Sequence, residues 1–451
     1  MTADPLAWLP LPSTQQPDWP DPAAVASVVA ELRTLPPLVF AGECDRLRDQ
    51  LALAARGQAF VLQGGDCAET FDAVGAEAIR AKLKTVLQMA IVLTYGASMP
   101  VVKVGRIAGQ YAKPRSSDVE HHHGVELPAY RGDMVNGLAF DADARRPDPH
   151  RMLEAYHRSA ATLNLVRAFT HGGYADLRQV HAWNQDFVRD SPAGQRYERL
   201  AGDIDRAMAF MHACGADPEE FHRVDLYAGH EALVLDYERA MTRIDSRTEL
   251  PYDVSGHFLW VGDRTRDPGG AHVDLAARVR NPVGVKIGPT AAPEQVLELV
   301  DRLDPHREPG RLTLITRMGA AHVRDRLPAI IEKVAATDAE VVWVCDPMHA
   351  NAFRTPGGYK TRRFEDILGE IHGFFAACLG EGAWPGGVHL EFTGEHVTEC
   401  LGGSEEVLED HLDRNYATLC DPRLNARQSL DLAFRVAELM RGADERTTPA
   451  P

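Results

Sequence analysis

Four side chains with metal-ligating chemistry stand on widely separated segments of the chain: Cys67, His349, Glu391 and Asp421. Together they offer one sulfur, one nitrogen and two oxygen donors. Such a mixed set suits Mn²⁺, Fe²⁺, Co²⁺ or Zn²⁺, and ligand type alone does not choose among them. Each residue taken singly also has an ordinary structural explanation, since cysteine is among the most often buried residue types. A second set is cationic: Arg106, Lys113, Arg115, Arg264, Lys286 and Arg317. Arginine pairs bidentately with phosphate and carboxylate, and lysine supplies a compact point charge. Gathered in one place, six such groups would suit substrates bearing several phosphate or carboxylate groups. A single arginine is explained equally well as a surface residue, but the set is not. Lysine occurs only seven times among 48 basic residues, so each lysine is a mild functional hint.

The elements around these residues say how they could meet. Short apolar runs lie at 59–65, 100–105, 224–229, 257–262, 282–288, 311–316, 340–345 and 387–392. Helical patterns separate most of them, as at 76–93, 293–303 and 324–336. Near-continuous apolar strands alternating with helices predict parallel strands buried on both faces. Eight of them is the count of a (β/α)8 TIM barrel, an α/β fold whose active site sits at the C-terminal ends of its strands. Nearly all the residues named above fall at or just after those ends. The stretch 150–223 is helical and too long for one barrel helix, so it predicts inserted helices, placed at about 190–225. A Pro-rich N-terminal arm and helix occupy 1–57, the catalytic barrel 58–441, and a disordered tail 442–451.

Composition bounds the function. With 451 residues and a net charge of −17 the chain is a poor binder of nucleic acid or anionic membrane. No run approaches the roughly 18 apolar residues of a membrane span, and the start lacks a signal-peptide pattern. A cytoplasmic protein is expected. Seven scattered cysteines with no CxxC pair argue for reduced thiols. No P-loop, GxGxxG fingerprint, GxSxG elbow or HExxH helix is present. The run His121-His122-His123 is a weak metal signal, read mainly as solvated loop.

Longer motifs narrow the reading. QGGDCAETF (63–71), MPVVKVGRIAGQYAKPRS (99–116), GDRTR (262–266), NPVGVKIGP (281–289), CDPMHAN (345–351), GEHVTECLGG (394–403) and CDPRLN (420–425) resemble the type II 3-deoxy-D-arabino-heptulosonate 7-phosphate (DAHP) synthases. The likeness runs from about residue 20 to 441. It implies condensation of phosphoenolpyruvate with D-erythrose 4-phosphate, the first step of the shikimate pathway. It also implies a divalent metal, Mn²⁺ or Co²⁺, on Cys67, His349, Glu391 and Asp421. Phosphoenolpyruvate contacts fall on Arg106, Arg264, Lys286 and Arg317, which with His349 form the implied catalytic set. Erythrose 4-phosphate contacts fall on Lys113, Arg115 and Ser116.

The same resemblance leads to the expectation of a homodimer or homotetramer, an aromatic amino acid effector and a chorismate mutase partner. Asp263 stands where the family carries the longer Glu. An amino-DAHP paralogue of secondary metabolism would keep every motif, and a catalytically inactive regulatory barrel is the alternative from another class. Cys420 adjoins Asp421, so oxidation could join it to Cys67 and block metal binding.

Overall fold

All eight apolar runs form strands in the structure, a computed structural model that describes residues 4–122, 124–172, 177–190, 198–214 and 224–447. They are β1 (Phe60–Gly65), β2 (Val101–Arg106), β3 (Tyr227–Glu231), β4 (Phe258–Val261), β5 (Val283–Ile287), β6 (Leu312–Thr316), β7 (Val342–Cys345) and β8 (Gly387–Glu391). Each pairs in parallel with its neighbours, and β1 pairs with β8, which closes the barrel. β3 starts at Tyr227 rather than 224 because the Val224 amide is taken by the Thr170 carbonyl, at 3.2 Å.

A helix follows every strand. After β1 comes α3 (Ala76–Ala97), preceded in the chain by α1 (Pro22–Thr34) and α2 (Ala41–Ala55). After β2 come α4 (Arg151–His171) and the inserted α5 (Leu177–Asp190) and α6 (Glu198–Ala213). The remaining strands are followed by α7 (Leu235–Met241), α8 (Ala271–Arg278), α9 (Pro293–Leu303), α10 (Val323–Ala335), α11 (Phe364–Gly380) and α12 (Ala426–Thr447). In α9 the buried residues are Val296, Leu299, Val300 and Leu303, one apolar face at helical spacing, with Pro293 at the first turn. α12 continues through Thr447, where the sequence suggested a disordered tail from 442. Nothing in Gly442–Thr447 breaks a helix before Pro449, and residues 448–451 lie outside the described part.

The barrel interior is packed below the mouth by Val61, Val102, Val104, Phe258, Trp260, Ile315 and Val344, with Leu47 and Leu51 of α2 in the same cluster. The N-terminal region therefore plugs the barrel floor. Among the described residues no helix is long and apolar enough to cross a membrane. α3 and α12 approach so closely that a Cβ on Gly96 would sit 2.3 Å from the Ala437 Cβ. Replacing Gly96 by Ala must push these helices apart, at a cost of about 1–3 kcal/mol. Urea unfolding should show that loss, and adding Ala437→Gly should recover part of it.

Candidate active site

At the top of the barrel, strand register brings the first donors together. Gly65 lies level with both Glu391 on β8 and Arg106 on β2. Its φ of 148° and the 2.6 Å that would separate an added Cβ from the Arg106 carbonyl both require glycine. β1 then turns out through Asp66 into Cys67. The Cys67 Sγ and carboxylate oxygens of Glu391 and Asp421 lie within 4.8 Å of one another. His349 Nε2 reaches Glu391 Oε1 at 3.0 Å. Sequence separation is large, yet all four predicted ligands converge.

The donor chemistry fits a divalent transition metal. His349 Nδ1 hydrogen-bonds Asp346 Oδ2 at 2.7 Å, which leaves Nε2 as the nitrogen that could face a metal. Asp421 accepts from Lys113 on one oxygen and Lys360 on the other, and each oxygen keeps a further lone pair. Burial alone would push the Asp421 carboxyl up, but Lys113 foremost holds it well below the usual range. Glu391 is likewise held down against its burial, by His349, Lys113 and Arg362. Both therefore present charged oxygens.

Glu391 is the node of this arrangement. Arg362 donates to it at 2.8 Å and Arg106 at 3.3 Å. Arg362 also donates to the carbonyls of Met348 and Pro422, tying down the segments that bear His349 and Asp421. Arg106 donates to the carbonyls of Asp66 and Cys67, both at 2.8 Å, and bonds His389 at 2.7 Å. With four bonds made by a guanidinium of five N–H groups, Arg106 has about one left for a ligand.

A cavity of about 240 Å³ opens above the cluster. It is lined by Arg106, Lys113, Arg115, Ser116, Arg264, Lys286 and Arg317, so every predicted substrate-binding residue faces it. Lys286 is buried and bonded to Asp346; burial pushes its ammonium down to about 8. Arg317 is aimed by Asp263 at 3.1 Å, and the same carboxylate takes Arg266 at 2.9 Å and the Gly288 amide at 3.1 Å. A Cβ on Gly288 would fall 2.7 Å from Asp263 Oδ2, so space beside this shorter acid is already full. Arg264 is exposed and, among the described residues, its side chain has no ion-pair partner. Arg115 is turned to Glu120 at 2.7 Å.

Loops around the mouth are pinned by buried acids. Glu69 accepts the amides of Ala108, Gly109 and Gln110 at 2.9–3.0 Å, fixing the turn after β2. Glu370 of α11 accepts those of Met318 and Gly319 at 2.7 and 2.8 Å, fixing the turn after Arg317.

Several residues of the site were not singled out from sequence. Glu231 lines the cavity at the end of β3, and its Oε1 is buried without a hydrogen-bond partner. Burial pushes its carboxyl up, against the pull of Lys286 and Arg106. Arg354 and Lys360, from the hairpin 352–362, line the outer wall. Scarcity of lysine pointed weakly to Lys360; nothing distinguished Arg362 from the other arginines. Cys420 also lines the cavity beside Cys67, and both thiols are free. His121 lies away on an exposed hairpin, 3.5 Å from Glu126, and His123 lies outside the described residues.

Residues 3–437 match the Class-II DAHP synthetase family. The phospho-2-dehydro-3-deoxyheptonate aldolase of Streptomyces coelicolor is 61% identical over 434 residues, 96% of each chain. The corresponding AroG enzyme of Mycolicibacterium smegmatis is 55% identical over 435 residues, 95% of this chain and 93% of its own. A solved aldolase of the same name from Francisella tularensis gives a TM-score of 0.44 at 12% identity over 92% of this chain and 97% of its own, too distant to build on.

The Asp346–His349 bond generates a prediction. Asp346→Asn should weaken Mn²⁺ binding about 10–100-fold, as loss of such an orienting partner usually does. Isothermal titration with Mn²⁺ reads this directly, and an unchanged affinity would remove Asp346 from that role.

Proposed function

The chain belongs to the Class-II DAHP synthetase family, and on that premise we propose that its barrel mouth joins phosphoenolpyruvate to D-erythrose 4-phosphate, giving DAHP and inorganic phosphate. The observation that supports this most is the shared cavity: three of the proposed metal donors, Cys67, His349 and Asp421, line its floor with the fourth, Glu391, buried against them, and a rim of cations surrounds it. Two phosphorylated substrates, one also a carboxylate, need that many positive charges near one Lewis-acid site.

In this reading Lys286, Arg264 and Arg317, with the remaining N–H of Arg106, hold the phosphate and carboxylate of phosphoenolpyruvate. Arg115 and Ser116 hold the phosphate of the erythrose substrate, joined by Arg354 and Lys360 on the outer wall. Fixing both substrates makes attack of the enol carbon C3 on the aldehyde carbon effectively intramolecular. A divalent metal, with Mn²⁺ or Co²⁺ favoured, supplies Lewis acidity toward the aldehyde oxygen when bound on Cys67, His349, Glu391 and Asp421. Lys113 protonates the new alkoxide in this reading, which its position beside Asp421 and 3.4 Å from the Cys67 Sγ supports. Water then adds to C2, and phosphate leaves. Glu231 Oε1 is the acceptor for the proton of that water, being buried and otherwise unpaired.

Further elements rest on the family reading. They are a homodimer or homotetramer, an aromatic amino acid effector and a chorismate mutase partner; an assembly would cover the exposed Phe40 and Leu408. The contact between Cys67 and Cys420 supports a redox role. Peroxide would convert the two thiols to a disulfide and water, removing a metal ligand.

Three outcomes test the function. EDTA-treated protein should not consume phosphoenolpyruvate with erythrose 4-phosphate, and Mn²⁺ or Co²⁺ should restore turnover with DAHP formed; no turnover in either metal would sink the reading. Arg264→Ala removes no ion pair within the described protein, so it should fold normally while KM for phosphoenolpyruvate rises and kcat falls. Unaltered kinetics would exclude Arg264 from the site. Lys286 binds anions as the ammonium, the form present below its pKa of about 8. The kcat/KM for phosphoenolpyruvate should therefore decline as pH rises through that value, and Lys286→Met should abolish this limb of the profile.

A further inference from the structure

Behind the metal donors, on the side away from the substrate cavity, four charged side chains form an unbroken chain. Lys82 of α3 pairs with Asp66. The other Asp66 oxygen takes Arg423 Nη1 at 2.8 Å. Arg423 then meets Glu399 three times, through its backbone amide at 2.7 Å, Nε at 3.1 Å and Nη2 at 2.7 Å. Glu399 is fully buried and Asp66 nearly so. Charges alternate along the chain, and none of the four residues lines the substrate cavity.

Their places in the sequence give this chain its meaning. Asp66 immediately precedes Cys67, and Arg423 lies two residues after Asp421. Backbone bonds tie the loop around Asp421 to β8: the Leu424 amide donates to the Glu391 carbonyl, and the Thr393 amide to the Leu424 carbonyl, both at 3.0 Å. Across to the segment after β1 that bears Cys67, the ties are the Asp421 amide on the Cys67 Sγ at 3.1 Å, Lys113 bridging the Cys67 Sγ and Asp421, and the Arg423–Asp66 pair. Close packing does not fix this junction. A separate cavity of about 230 Å³ lies there, lined by Asp66, Cys67, Lys82, Thr418 and Arg423 among others. Without the charged chain the loop has room to shift.

We propose that Lys82, Asp66, Arg423 and Glu399 are positioning residues that hold Cys67 and Asp421 at metal-binding separation. The proposal rests on the reading of Cys67, His349, Glu391 and Asp421 as the metal site. Partners that orient ligands from outside commonly matter 10–100-fold for metal affinity without touching substrate. Arginine is suited to the central place because its planar fork reaches two carboxylates at once, which a lysine ammonium on the same backbone does not reproduce.

The test is titration of the whole protein with Mn²⁺ alone, and with Co²⁺ alone while following the thiolate-to-cobalt absorption. Arg423→Lys and Glu399→Gln should weaken Mn²⁺ binding about 10–100-fold and lower the cobalt–thiolate band. KM for phosphoenolpyruvate, measured at saturating Mn²⁺, should stay at the wild-type value. Lys82→Met leaves the Arg423–Glu399 pair in place and gives the same reading should Arg423→Lys fail to fold. Arg280→Ala, which breaks an ion pair with Glu308 far from the cluster, should keep wild-type metal affinity and so separates positioning from general loss of stability. Unchanged affinity in the folded chain variants, or an equal loss in Arg280→Ala, would overturn the proposal. A wild-type protein that bound neither metal would overturn the metal-site reading and this proposal together.

Discussion

A carboxylate sealed inside a barrel must be neutralised by protein groups, because water does not reach it. Glu391 is completely buried, and its charge is met by Arg362, Arg106 and His349. Each of these partners binds elsewhere as well. Arg362 holds the Met348 and Pro422 carbonyls, Arg106 holds those of Asp66 and Cys67, and His349 is held by Asp346. One buried charge thus sets the position of three loops, and those loops bear the other three proposed metal donors. Removing either arginine would leave the buried Glu391 charge less fully compensated, and the fold less stable. Binding site and fold stability are coupled at this point.

The mouth also resolves an apparent conflict in charge. A chain of net charge −17 gathers its cations where anionic substrates are to be held. Most of them are not loose. Lys286 leans on Asp346, Lys113 on Asp421 and Arg317 on Asp263. These acids keep the cations ordered and limit their mutual repulsion, so that a substrate meets preset charges with little left to rearrange. Arg264 differs in being exposed and, among the described residues, in having no ion-pair partner, which leaves its full fork available to a ligand.

Asp263 shows how a local departure is absorbed. The shorter acid, where the resemblance led to the expectation of Glu, collects Arg266, Arg317 and the Gly288 amide, since Gly288 approaches closely enough to meet it. The turns beneath Arg106 and Arg317 are held by Glu69 and Glu370, each satisfying consecutive backbone amides. Rigid turns of this kind put the cavity-lining Arg106 and Arg317 on fixed supports rather than on mobile loops.

Much of this molecule was legible in its sequence. Eight apolar runs separated by helical periods determine a parallel barrel, because strands buried on both faces can be satisfied in few other ways. Residue type at the strand ends then marked Cys67, His349, Glu391 and the cationic rim, since charge at the end of an apolar strand needs a reason. Other features were decided only by tertiary structure. Glu231 lay beyond the apolar run 224–229, and nothing marked it until the fold left one of its oxygens buried and unpaired. Arg362 and Arg423 were two arginines among many. Their roles arise from distant chain segments meeting around buried carboxylates, and no local pattern of residues records which charges will be enclosed together.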